Sequence, residues 1–231
     1  MEIKDILYDI LEEIGKPKIT ISLQKDIVSS KILIDEILSK AIPRIKSEYI
    51  NSNYLERNLK ELKYSFKQDL SKLCESLLHF LLTIATVPSS RKILLEKQEL
   101  DIVIPEVKIL KKYPEKSIII KFLNDDDSLS FDLIDGISIL QPYKKNLWIV
   151  SPTDMDCHYK NFILYEKEEF EKYLTESNTY VPNFYVQDNE ENYTSKNNEP
   201  IVNTYPFNNI LLDIEKFLKD SKNKSFRFVH I

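Results

Sequence analysis

The sequence predicts an α/β protein in which a helical amino-terminal part, residues 1 to 95, packs on a mixed central β-sheet. Three observations carry this. Apolar residues recur at helical spacing through the first third of the chain. Two Ile- and Val-rich runs between Leu100 and Phe122 then flank a basic, Pro-containing connection, as the strands of a β-hairpin would. A helical pattern follows before the next apolar run, Leu147 to Val150, and a helix between two strands is the crossover that joins parallel neighbours.

Taken in order, Ile3, Ile6, Leu7, Ile10, Leu11 and Ile14 line one face of a helix, which Gly15 and Pro17 stop. Ile19, Ile21 and Leu23 alternate as in a short strand. Ser29 or Ser30 can cap a helix carrying Ile34, Ile37, Leu38, Ala41 and Ile42, which Pro43 ends or kinks. From about Asn53 to Val87 a long helix places Leu55, Leu59, Leu62, Phe66, Leu70, Leu73, Leu77, Leu81 and Ile84 near one face, and Pro88 closes it. Its first half bears Arg57, Lys60, Lys63, Lys67 and Lys72, a solvated face balanced by Glu56, Glu61 and Asp69, while its second half is apolar nearly all round and enters a core. A short helix is expected after Ser89 and Ser90.

Pairing of the central runs about residue 111 sets Asp101 opposite Lys121, two charges on otherwise apolar strands. The plain reading of that pair is a half-exposed ion pair of modest worth. Residues 128 to 141 fit a helix capped by Asp127 or Ser128, or a hairpin turning at Asp135 and Gly136; the crossover favours the helix. A strand at 146–150, a strand at 162–165 and a helix at 166–175 complete a core over residues 96 to 176. Residues 177 to 206 are rich in Asn, Glu and Tyr without periodicity and read as a long irregular excursion; residues 207 to 231 give a last amphipathic helix and, from Phe226 to Ile231, a strand.

Composition excludes several function classes. The chain has 231 residues, a formal net charge of -5 and only two glycines, Gly15 and Gly136. Loops that cradle phosphate need glycine where backbone approaches the ligand, so Walker A motors and ordinary dinucleotide dehydrogenases are out. No HExxH or GxSxG occurs. Cys74 and Cys157 share no metal or disulfide spacing and suit a reducing, cytoplasmic location. The longest apolar run is too short for a bilayer, and the first helix is no signal peptide, so a soluble protein is expected. An acidic total repels a phosphate backbone, so contact with DNA must use a local patch: Lys108, Lys111, Lys112 and Lys116 beside Tyr113, with Lys144 and Lys145 beside Tyr143. A solvated turn explains the same residues. Asp154, Asp156, Cys157 and His158 read as a polar loop, and His79 as a core or boundary residue.

The order helix, strand with Asp101, strand ending in Lys121, helix, LWIV strand, FILY strand and helix, over roughly residues 70 to 175, resembles the core of the PD-(D/E)XK nuclease-like superfamily, with its restriction-endonuclease-like mixed sheet. The resemblance implies a divalent metal, usually Mg, held at Asp101, a Lys at 121 that positions or deprotonates the attacking water, and help from an acid on the preceding helix, for which Glu75 stands nearest. The position two before Lys121, acidic in that family, is Ile119. A hard cation needs several oxygen ligands, so this departure points to a catalytically degenerate, nucleic-acid-associated protein. An active nuclease would need its acid supplied from Glu75 or from Asp125 to Asp127. The competing expectation is a non-enzymatic subunit that docks to protein partners or to a second copy of itself.

Overall fold

A computed structural model describes residues 2–25, 27–51, 59–123, 128–154, 158–166, 169–170, 172–173 and 204–220 of the chain. Its amino-terminal third is helical. Helix α1, Ile3–Ile14, buries the expected apolar face and ends at Gly15, whose φ of 84° lies in the region that favours glycine and whose N–H donates to the Leu11 carbonyl. Residues Lys16–Lys25 form helix α2 and not the strand that alternation suggested. Three alternating apolar residues decide little when only one is buried: Ile19 packs inside while Ile21 is 61% exposed. Pro17 falls in the first turn, where its missing N–H is no loss. Helix α3, Ile27–Asn51, takes Ser29 and Ser30 inside it and runs through Pro43, because Leu38, Ala41, Ile42 and Ile45 on both sides of the proline are held in the core. Helix α4, Leu59–Ile84, buries Phe66, Leu70, Leu73, Leu77 and Leu81 along the expected stripe.

The sheet has six strands in the order β1-β2-β3-β4-β5-β6. Strands β1 (Ser90–Leu95), β2 (Gln98–Ile104) and β3 (Ile118–Phe122) are antiparallel neighbours. Strands β4 (Leu147–Thr153), β5 (Lys160–Tyr165) and β6 (Thr204–Pro206) continue from β3 in parallel. The short helix expected after Ser89 and Ser90 is strand β1. It pairs with β2 across a two-residue turn in which Glu96 and Lys97 both have positive φ, the requirement of a type I′ hairpin met here without Asn or Gly. The connection from β2 to β3 is no tight turn but contains helix α5, Val107–Lys112. Helix α6, Ser128–Leu140, is the crossover between β3 and β4, and the hairpin alternative at Asp135 and Gly136 does not form. Gly136 lies where α6 passes closest to the sheet: a Cβ there would stand 2.5 Å from the Gln98 side-chain amide.

Alternation along the strands divides the interior. Ile102, Ile104, Ile118, Ile120, Phe122, Trp148 and Val150 face the amino-terminal helices, and Val103, Ile119, Leu147 and Ile149 face Ile134 and Ile137 of α6. Helix α7, Ile210–Asp220, packs Ile210, Leu211, Ile214 and Leu218 into the larger core. At the start of β5 the Lys160 ammonium lies 2.7 Å from Asp213 Oδ2 of α7, and 4.9, 5.4 and 4.8 Å from the ring centres of Trp148, Phe162 and Tyr205. Of the helix expected at 166–175, residues 169–170 and 172–173 are helical, Glu166 is not, and the remaining positions lie outside the described residues. Of the excursion only 204–206 are described, and the strand expected at 226–231 lies outside the described residues. Among the described residues no helix is long and apolar enough to cross a membrane.

Candidate functional site

The register of β2 with β3 pairs Ile102 with Ile120 and Ile104 with Ile118, so its next step sets Asp101 against Lys121. Their side chains meet, Lys121 Nζ to Asp101 Oδ2 at 2.9 Å. Both are buried, at 2% and 8% exposure, and the half-exposed position expected for the pair is corrected accordingly. A charge taken out of water persists only when its polar atoms are satisfied. Here they are: the Phe122 backbone N–H donates to Asp101 Oδ2 at 2.9 Å, and Lys121 also donates to the Glu99 carbonyl at 3.2 Å.

Further charges close the cluster. Glu75, on the face of α4 against the sheet, accepts from Arg91 Nε at 3.0 Å on Oε1 and from Lys92 Nζ at 3.1 Å on Oε2. Lys92 Nζ also lies 2.7 Å from Asp101 Oδ1 and 3.6 Å from Glu99 Oε1. Partial burial pushes the Lys92 ammonium down, but Asp101 and Glu75 outweigh it and hold its pKa above the ordinary lysine value. Glu75, Glu99 and Asp101 thus face Arg91, Lys92 and Lys121. Asp101, Lys121 and Glu75 are legible in the sequence; Arg91, Lys92 and Glu99 are not. The signal is two adjacent cations in a strand whose hairpin symmetry about residues 96 and 97 sets Lys92 opposite Asp101.

The metal implied at Asp101 meets a donor set already in use. Both oxygens of Asp101 and both of Glu75 accept from an ammonium, a guanidinium or a backbone N–H. Ile119 is fully buried under α6 and supplies no oxygen. Among the described residues no group of three or more acids, histidines or cysteines is placed to hold a metal ion. As they stand, these residues do not fit a divalent cation, which needs about six free oxygens at close range.

The lysines form a separate surface. Because β3 and β4 are parallel, the segments that enter them lie side by side, and two buried amides tie them together. Gln141 Nε2 donates to the carbonyls of Pro114 and Ser117, both at 2.9 Å, and Asn146 Nδ2 donates to that of Glu115 at 3.1 Å. Lys108, Lys111, Lys112, Lys144 and Lys145 are exposed and Lys116 half-buried. Lys112 and Lys116 stand 5.2 and 4.9 Å from the Tyr113 ring centre, and Tyr143 is exposed next to Lys144 in the chain. Lys121 lies roughly 10 Å further along β3 from its first residue, Ile118, at about 3.3 Å per residue, so cluster and patch occupy opposite ends of the strand.

His79 is a boundary residue, as expected: it is half-buried, its Nδ1 has no partner, and burial together with the nearby Arg91 pushes its pKa down. Cys74 is fully buried and its thiol pushed far up by that burial, so it is no nucleophile. Of the loop cluster, Asp156 and Cys157 lie outside the described residues.

No family model matches the chain, and no curated protein matches it significantly. Among solved structures it is similar to the restriction endonuclease PspGI in complex with substrate DNA, with a TM-score of 0.49, 16% identity, and 95% of this chain and 93% of that chain covered. It is similar also to metal-depleted Ecl18kI with uncleaved, modified DNA, at a TM-score of 0.49, 14% identity and coverage of 100% and 83%. For metal-depleted Ecl18kI with uncleaved DNA the TM-score is 0.48 and the identity 12%, with the same coverage of 100% and 83%.

Proposed function

We propose that the chain is a nucleic-acid-associated protein whose PD-(D/E)XK nuclease-like core is catalytically degenerate, and that it grips the DNA backbone through the lysine patch at the entry of β3 and β4. One observation carries this: Gln141 and Asn146 lock two lysine-bearing segments into one exposed surface on a molecule whose net charge is -5. Lysines on a fixed surface can neutralise neighbouring phosphates, and exposed Tyr113 and Tyr143 offer stacking faces to bases. Glu75 and Asp101, fully engaged by cations, support the absence of metal-assisted hydrolysis.

The test is binding of labelled single- and double-stranded DNA across a salt series, with Mg present and cleavage followed in the same tubes. Binding is expected to weaken steeply with salt, without cutting. Lys144→Ala/Lys145→Ala should lower the log–log salt slope by about 2, one for each phosphate that is no longer neutralised. No binding at low salt, or a slope unchanged in the double variant, overturns the assignment and turns attention to protein partners or self-association. Cutting that EDTA abolishes overturns the degenerate core.

A further inference from the structure

Between helices α1 and α4 lies a groove of about 350 Å³ that shares no residue with the lysine patch. Each helix lines it with a stripe at i, i+4 and i+7: Lys4, Tyr8 and Leu11 from α1, and Ser76, Phe80 and Thr83 from α4. Arg91 of β1 completes the wall. The volume is at the small end of ligand sites, enough for a small molecule and too little for a duplex. Leu11 is 6% exposed and Phe80 packs on the core, so the floor is apolar, while Tyr8, at 66% exposure, stands at the rim.

The charge of the groove is of one sign. Among the described residues none that line it is an acid, although the chain has 37 acids to 32 lysines and arginines. Its donors are also largely unspent. Arg91 gives Nε to Glu75 Oε1 at 3.0 Å, which leaves both Nη groups without another described partner, and neither the Lys4 ammonium nor the Ser76 hydroxyl has one. Two cations on one concave wall with no lining acid suit a dianion, and the planar fork of a guanidinium matches phosphate oxygens. We infer that the groove binds a small phosphomonoester with a flat apolar body, its phosphate held by Arg91, Lys4 and Ser76 and its body laid over Phe80 and Leu11 against the Tyr8 ring.

The experiment titrates adenosine monophosphate into the full chain and follows the imidazole C–H resonances of His79, which lines the same groove and is assigned by comparison with His79→Gln. No DNA is present, so the outcome is independent of the backbone-binding measurements. The resonances should shift and saturate with a Kd of about 1 mM or tighter. Adenosine, which lacks the phosphate, and inorganic phosphate, which lacks the body, should each bind roughly tenfold more weakly or worse. Two changes at exposed side chains test the two halves of the site: Lys4→Glu should weaken binding by about tenfold and Tyr8→Ala by about fivefold. Lys144→Ala/Lys145→Ala should leave it unchanged. No shift up to about 10 mM nucleotide, well above the Kd expected, overturns the site. So does adenosine or inorganic phosphate binding as tightly as the monophosphate, a shift that survives Lys4→Glu undiminished, or one that the Lys144/Lys145 variant abolishes.

Discussion

Asp101→Asn changes one oxygen for one NH₂ and leaves the shape intact, so it isolates the charge. Asp101 is 2% exposed and receives Lys92 at 2.7 Å, Lys121 at 2.9 Å and the Phe122 N–H at 2.9 Å. The new amide can still accept once, but it presents hydrogens to one of the two ammoniums. Lys92, its side chain 46% exposed, can turn to water. Lys121, its side chain 10% exposed, cannot, and keeps only the Glu99 carbonyl at 3.2 Å. Stranding a buried charge in this way costs about 3–5 kcal/mol. At roughly 2–4 °C per kcal/mol for a chain of this size, Tm should fall by about 6–20 °C. Urea titration and thermal CD at pH 7 measure the loss. Adding Lys121→Met removes the stranded ammonium and should recover about 2 kcal/mol of it, a coupling of the size that touching residues show. A loss below about 1 kcal/mol, the worth of an exposed pair, or a double variant no more stable than Asp101→Asn, refutes the claim that burial sets the energetics of this cluster.

Two further predictions concern other charges, half-buried or buried. Lys160→Met leaves Asp213, among the described residues, with only Lys216 at 3.6 Å and removes the ammonium from beside three rings, so Tm should drop by about 4–12 °C, from about 2–3 kcal/mol, and Asp213→Asn should restore part of it. Burial raises the Asp35 pKa above 3.8, outweighing the Asn208 hydrogen bond and Lys31, so its contribution to stability is present below that value and lost as pH rises through the folded pKa. Asp35→Asn removes this dependence and gives the unpartnered Asn208 Oδ1 a donor; stability at pH 7, read by urea titration, should rise by about 1 kcal/mol, and the gain should shrink as pH falls through the raised folded pKa toward 3.8.

How far each feature can be read from the sequence depends on how local its signal is. The register that joins Asp101 to Lys121 is readable because two apolar runs and the connection between them leave one symmetric pairing. Helix α6 is readable because a crossover needs a helix. Strand β1 escapes because Ser89 and Ser90 resemble a cap and the Glu96–Lys97 turn lacks the residues that advertise positive φ. Without β1, Lys92 has no place opposite Asp101, and half the cluster stays hidden. Helix α2 is obscured by a three-residue alternation that buries only Ile19 among its alternating residues. Residues 108–116 and 144–145 come under suspicion together on composition, yet what makes them one surface is the pair of buried amides, Gln141 and Asn146, whose partners lie 24 to 32 positions away.

Strand β3 is buried at all five of its positions, with Ile118, Ile120 and Phe122 in one core and Ile119 and Lys121 on the other side. It works as a key cut on both edges. Inserting or deleting a single residue in the 107–116 connection would exchange the two edges, sending Lys121 among the leucines of α4 and Ile120 toward the carboxylates. Sequence drift here is therefore channelled. The 107–116 connection can change its length only in ways that preserve phase, and an acid placed at 119 by one substitution would be driven beneath α6.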